Sequence, residues 1–470
     1  MFFPERSGLH RVRSGKKLST HLHPAPILPH MAMAVELGRA KFAREKGGTP
    51  ENIFWDLSTA ISGHAIIVGS SGSGKTHRLR YLIDRLQRVV RNPTIHILDV
   101  HGDIAPNHPN SVRFSETTPY GLNPLAVTTD PEFGGVRKRI NTFISMINRS
   151  TSHLGTRQLA VLRALLNDLY ELNGYDPANP ITWDPATNPL VSGMSAQTGT
   201  HPAMSDLTNL CAWRIKNLLT GSGSEAFRTL NEINKTYKRM ARLQRKLAPG
   251  EEATLETMKS TCIDQYAAFV HSIETGKELD DLLNYESVEP MRAVYERLKQ
   301  LDATGIFKDQ PPQFDPRDPL RVYEISSLLE DEQKMFAEVL LERLFIDAKA
   351  TGQKPAPDTF IVIDEAHKFM TDENDHILNR MAREVRKFGV GLILVSQNFE
   401  HFPEDLIANS AMTMILGLHD LHHKRAASKL GLKVDRLKWI RPKHTALVQV
   451  RSGSGAGLTN AFNDVYLARG

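Results

Sequence analysis

The chain has 470 residues, 40% hydrophobic and 24% charged, enough for one large domain with an insertion or for two to three domains. Its longest apolar runs, "FIVI" at 360–363 and "GVGLILV" at 389–395, are strand-length and far short of the ~18–20 residues that span a bilayer. Two cysteines, Cys211 and Cys262, exclude a disulfide framework and fit a reducing, cytoplasmic setting, and of the net charge of +5 all but +1 sits in residues 1–30, so charge alone is no argument for a nucleic-acid partner.

Residues 1–32 are basic, rich in Pro and His, and without helical or strand period. They read as a disordered tail, or as an over-extended start before Met31 or Met33. From Gly63 the pattern changes. "AIIV" at 65–68 is a short apolar run, a Gly-rich turn follows, and Leu79, Leu82, Ile83 and Leu86 then recur at helical spacing. A second strand, "TIHILDV" at 94–100, comes one helix later, which makes a βαβ unit and a parallel sheet with a right-handed crossover. Segments 320–328, 359–366, 389–397, 411–418 and 444–450 read as further strands, with helices at 331–350 and 374–388 between them. Their near-continuous apolar runs suit strands covered on both faces.

Residues 204–301 are of another kind, with long helical periods and no strand signal. The expected organisation is α/β: a mostly parallel-sheet core in two parts, 33–203 and 302–470, interrupted by an all-helical insertion at 204–301. Within the insertion, Lys235, Lys238, Arg239, Arg242, Arg245 and Lys246 make a basic face, suited either to phosphate backbones or to the acids near 278–289.

Chemistry concentrates in three places. "GSSGSGKT", Gly69 to Thr76, lies between a strand and a helix and matches G-x-x-x-x-G-K-(S/T). Gly69, Gly72, Ser73 and Gly74 let backbone N–H groups wrap phosphates, Lys75 reaches the β- and γ-phosphates of ATP, and the Thr76 hydroxyl ligates Mg²⁺. "FIVIDEAHKF" brings Asp364 and Glu365 to the C-terminal end of a buried strand, where α/β sheets bind ligands. Asp364 suits Mg²⁺ and Glu365 suits polarising the attacking water. "DEAH" also occurs in superfamily 2 helicases, but the 289 residues between Lys75 and Asp364 exceed the interval of that family. That leaves His367 as a helix-start residue. Finally, "REVRKFGVGLILVSQ" sets Arg383 and Arg386 three apart before a strand that ends at Gln397. Phosphoryl transfer needs a cation on the γ-phosphate, and Gln397 ends at the same sheet edge as Asp364. The expectation from this pattern is that Arg386 projects from the edge beside its own site and acts in trans, on ATP held by the neighbouring subunit.

Taken in order, "GSSGSGKT", "ILDVHGD" at 97–103, "LNPL" at 122–125, "IVIDEAHKF" and "REVRKFGVGLILVSQ" resemble the HerA/FtsK superfamily of P-loop motors, over roughly 35–205 and 300–450. The resemblance implies a RecA-like P-loop NTPase core, hexameric rings with ATP at subunit interfaces, and translocation of double-stranded DNA. By position Arg386 matches the family's interface arginine, acting with Glu365 and Gln397 as the catalytic set, and Asp99 and Asp103 match its acidic "D-P-H-G" positions. The helical insertion and "LNPL" lean toward the conjugation and secretion branch or a stand-alone HerA-like form. Partners of that branch include a nuclease, an effector or a secretion channel. A secretion or assembly ATPase acting on protein partners, or a subunit gating an effector, uses the same hydrolytic residues. "HDLHHK" at 419–424 offers His419, His422 and His423 without a carboxylate pair, a weak pattern for metal.

Overall fold

The computed structural model describes residues 33–41, 51–150, 153–188, 201–220, 225–244, 252–272, 285, 288–373, 375–453 and 461–468. The reading of residues 1–32 falls outside these, as do Arg245, Lys246 and most of the 278–289 acids.

Eleven strands form one sheet: β1 Ala34–Ala40, β2 Asn52–Asp56, β3 Ala65–Val68, β4 Thr94–Asp99, β5 Ser111–Arg113, β6 Leu320–Glu324, β7 Thr359–Ile363, β8 Val390–Ser396, β9 Met412–Ile415, β10 Thr445–Val450 and β11 Asn463–Leu467. Their order is β2-β1-β11-β10-β9-β3-β8-β7-β4-β6-β5. From β9 to β5 every neighbouring pair is parallel, and β10, β11, β1 and β2 extend the sheet antiparallel. The mostly parallel α/β class expected from the sequence is the one observed. Strands β1, β2, β5 and β11 lacked a sequence signal: they are short or only half-buried.

The central strands are apolar throughout because both faces are covered. In β3, Ile66 and Val68 pack into one hydrophobic cluster, and Ala65 and Ile67 into the other. In β8, Leu392 and Leu394 alternate with Ile393 and Val395 in the same way. This is the two-residue period of a pleated strand read from both sides. Helix α1 (Lys75–Val89) covers the second face with Leu79, Leu82, Ile83 and Leu86. The helix Glu330–Thr351 covers the first with Phe336, Leu340, Leu341 and Phe345.

Helices Met204–Thr220 and Val288–Ala303 pack on each other and on Thr156–Leu172. Leu207, Cys211, Met291, Val294 and Leu298 are buried in the same cluster as that face of the sheet. Between them in sequence, helices Glu225–Gln244 and Glu252–His271 lie against each other, with Thr236 Oγ1 donating to Gln265 Oε1 at 3.1 Å. That pair leaves Tyr237, Ile263 and Tyr266 exposed to solvent.

Candidate nucleotide site

The loop Gly69–Thr76 leaves the C-terminal end of β3 and opens α1. Its path depends on glycine. A Cβ on Gly69 would sit 2.3 Å from Ser73 Oγ, and Gly72 and Gly74 have φ of 78° and 97°, the left-handed region that side chains disfavour. Neighbouring elements hold the loop from outside. Gly69 N–H donates to Ser396 O at 3.1 Å, Ser70 N–H to Gly417 O at 2.7 Å, and Lys443 N–H to Ser73 O at 3.2 Å. Lys75 Nζ turns back onto the loop, donating to Gly69 O at 2.8 Å and Ser70 O at 3.3 Å.

One strand separates β3 from the acidic strand: β8 lies between β3 and β7. With strands ~4.8 Å apart, the ends of β3 and β7 are ~10 Å apart, room for a phosphate and a hydrated cation. Asp364 and Glu365 follow β7 and are both only 6% exposed. Burial raises the Asp364 carboxyl to about 6, with Glu365 and Asp103 adding to the rise. Glu365 adopts φ 46° and ψ 42°, unusual for a non-glycine residue, and the turn that follows aims its side chain at β8. There Gln397 Nε2 donates to Glu365 Oε1 at 3.0 Å. The other oxygen, Oε2, lies 3.2 Å from His367 Nδ1 but without a hydrogen bond's geometry. Burial lowers the His367 pKa, so at neutral pH the ring is uncharged. His367 is the second residue of the short 3-10 helix Ala366–Phe369, the helix-start position expected of it, and stacks on His401 with 5.0 Å between centroids.

The residues present fit a nucleotide and Mg²⁺. The glycine-lined loop presents backbone donors, and the candidate metal donors Thr76 and Asp364 are oxygen-only, as Mg²⁺ requires. Ser73 Oγ and Glu365 Oε2 are buried with no hydrogen-bond partner among the described residues.

One expectation needs correction. Arg386 does not project beside its own site. It lies in the short 3-10 turn Val385–Phe388 that leads into the start of β8, whereas the P-loop lies at the strand's end. Seven residues at ~3.3 Å each put Arg386 more than ~20 Å from its own phosphate loop, on the opposite sheet edge. It lines a cavity there with His64, Lys354 and Lys387, while Arg383 pairs with Asp405 at 3.2 Å. Asp99, matched to an acidic motif position, holds a loop. Its Oδ1 accepts from His101, Gly102 and Asp103 N–H (3.3, 2.8 and 3.3 Å), and its Oδ2 from Ile104 N–H (2.9 Å). Asp103 stays near Asp364 and bears on its charge. Among the three histidines of 419–424, His419 caps a helix, His422 meets Glu400, and His423 bonds Leu418 O.

Lys443 and Gly417, which clamp the P-loop, carried no sequence signal. Neither belongs to a local motif, and each reaches the loop only through the order of the strands.

The family model described as helicase HerA, central domain, matches residues 36–344. The chain belongs to this family. In this HerA-family chain the matched span includes the P-loop and stops before β7, so Asp364, Glu365 and Gln397 lie beyond it. A DNA double-strand break repair helicase HerA from Sulfurisphaera tokodaii is 30% identical over 114 residues, 23% of each chain. A probable helicase from Methanocaldococcus jannaschii is 27% identical over 176 residues, 35% of this chain and 33% of that one. The chain thus aligns with only about a quarter to a third of the length of these curated relatives. Among solved structures, VirB4 of Thermoanaerobacter pseudethanolicus matches with a TM-score of 0.59 and 13% identity, over 93% of this chain and 96% of that one. Plasmid coupling protein TrwB, solved with a non-hydrolysable ATP analogue, matches with a TM-score of 0.52 and 12% identity over 95% of both. At these identities the likeness is one of fold, that of a P-loop NTPase with a large, mostly parallel sheet. Among the described residues no helix is long and apolar enough to cross a membrane.

Proposed function

We propose that this HerA-family chain is a cytoplasmic, ATP-hydrolysing motor that works as a hexameric ring and translocates double-stranded DNA. The observation that carries the reading is the split of its hydrolytic residues between two sheet edges. Lys75, Thr76, Asp364, Glu365 and Gln397 share one edge, and Arg386 stands at the other. A ring that sets one subunit's Arg386 edge against the next subunit's P-loop edge completes the set, and makes turnover conditional on assembly.

In this reading the P-loop N–H groups and Lys75 hold the β- and γ-phosphates. Mg²⁺, held by Thr76 and by Asp364 through water, would neutralise charge on the phosphate oxygens. Glu365 takes the proton of the attacking water. Gln397 bonds Glu365 in the resting state and turns to the γ-phosphate when it arrives. Arg386 of the neighbouring subunit stabilises the charge of the transferring phosphoryl group.

The DNA substrate draws support from the repair helicase named among the relatives. The second reading, an ATPase acting on protein partners or gating an effector, is favoured by the exposed Tyr237, Ile263 and Tyr266 on the paired helices. ATP hydrolysis measured with and without double-stranded DNA separates the two. Severalfold stimulation is the expected result for the motor, and hydrolysis indifferent to DNA overturns it.

A further inference from the structure

A groove of about 1090 Å³ begins at the phosphate loop, where Ser73 and Gly74 line it, and continues along α1 to β1 and β11. His77, the first residue after the loop motif, also lines it. Its charge is one-sided. Arg39, Arg78, Arg85 and Lys443 line it against one carboxylate, Glu36.

Two of these cations are built in. Arg78 is 5% exposed and lies over the Tyr81 ring at 4.7 Å. Its Nη2 donates to Ala468 O at 3.0 Å, but Nε and Nη1 have no partner among the described residues. A buried guanidinium with idle donors and no carboxylate bonded to it among the described residues destabilises the fold unless acceptors from a ligand compensate it. Lys443 has φ 67°, a left-handed conformation rare for a lysine. Its N–H bond to Ser73 O holds it there, and its side chain lies so close to Gly74 that a Cβ on that glycine would come within 3.1 Å of Lys443 Cγ. Strain of this kind persists where the surroundings impose it, and it clusters at ligand clamps.

We propose that this groove seats the ribose and base of the nucleotide, with Lys443 and Arg78 donating to its sugar oxygens and ring nitrogens. The inference rests on the P-loop as the triphosphate site, so its test compares two ligands that share the phosphates and differ in the nucleoside. Calorimetry of the full chain with Mg²⁺ measures binding of ATP and of inorganic tripolyphosphate. Lys443→Gly relieves the left-handed strain, keeps the N–H to Ser73 and removes only the side chain. Arg78→Met keeps an unbranched stem over Tyr81. Each variant loses about tenfold in ATP affinity, the worth of one charged hydrogen bond, and keeps tripolyphosphate affinity within about twofold. Unchanged ATP affinity in both variants overturns the proposal. So does a parallel loss for both ligands, since the cations would then serve the phosphates. If the wild-type chain binds neither ligand, the P-loop reading itself fails and takes this one with it.

Discussion

Gln397 and Glu365, 32 residues apart in sequence, face each other from the ends of adjacent parallel strands, Nε2 to Oε1 at 3.0 Å. The bond occupies the amide that a γ-phosphate would otherwise engage, and it ties down the carboxylate that would activate water. Neither residue can act fully until the contact is broken. Glu365→Gln is therefore expected to hold ATP within a few-fold of wild type while turnover falls by about 10²-fold or more. Lys75→Ala should lose ATP binding itself, since in the proposed site the lysine would meet the ground-state phosphates. Nucleotide affinity and phosphate release, measured on both variants, check the division. A Glu365→Gln protein that cannot hold ATP contradicts it.

The position of Arg386 across the sheet from its own P-loop predicts complementation. Arg386→Ala alone should lose on the order of 10³-fold in turnover. Mixed with Lys75→Ala subunits, which still present the arginine, it should recover a measurable share of wild-type activity. The assay is ATP hydrolysis by rings shown to be mixed by tagged co-purification. Activity that stays at the single-variant floor in such rings rejects the role in trans.

Asp99 is 1% exposed and accepts four backbone N–H groups, so removing its carboxylate leaves buried donors unpaired. Asp99→Ala should cost about 2–4 kcal/mol of stability, read as a lowered urea midpoint with unchanged slope. Asp99→Asn, which keeps one acceptor, should recover part of it. A catalytic aspartate would give the reverse pattern, lost turnover with the midpoint intact.

Acid should weaken the fold through buried neutral histidines. Burial pushes His64, His201 and His376 down to about 4 and His96 to about 3, from an ordinary 6.5. The unfolded chain takes up these protons near pH 6.5 while the folded chain refuses them until about 4, so this stability is complete above 6.5 and lost as the pH falls through that window. Asp364 opposes the trend, since it binds a proton at about 6 when folded and at 3.8 when unfolded. Burial raises the Asp302, Glu338 and Asp347 carboxyls too, so they oppose it with Asp364, but by less than the four histidines are lowered, which leaves the net loss with acid. The urea midpoint should be lower at pH 5 than at pH 7.5. His64→Gln, which can still accept from Leu392 N–H, should flatten that slope. Equal midpoints at the two pH values would show that the histidines do not govern acid stability.

Local pattern by itself determined the P-loop, the acidic strand end and the apolar central strands. Each depends on residues within a few positions: glycines that admit φ near 78° and 97°, four apolar residues before Asp364, and an aliphatic run ending at Gln397. A strand buried on both faces announces its burial through composition but says nothing about its neighbours. Strand order in a parallel sheet is set by crossovers of tens to hundreds of residues, so only the tertiary structure placed β8 between β3 and β7. That single insertion brought Gln397 to Glu365 and sent Arg386 to the far edge. It took the same long-range order to bring Lys443 and Gly417 to the P-loop and to add β1, β2 and β11 to the sheet. Those strands are only partly covered, and the hydrogen bonds that define them come from partners no local window contains.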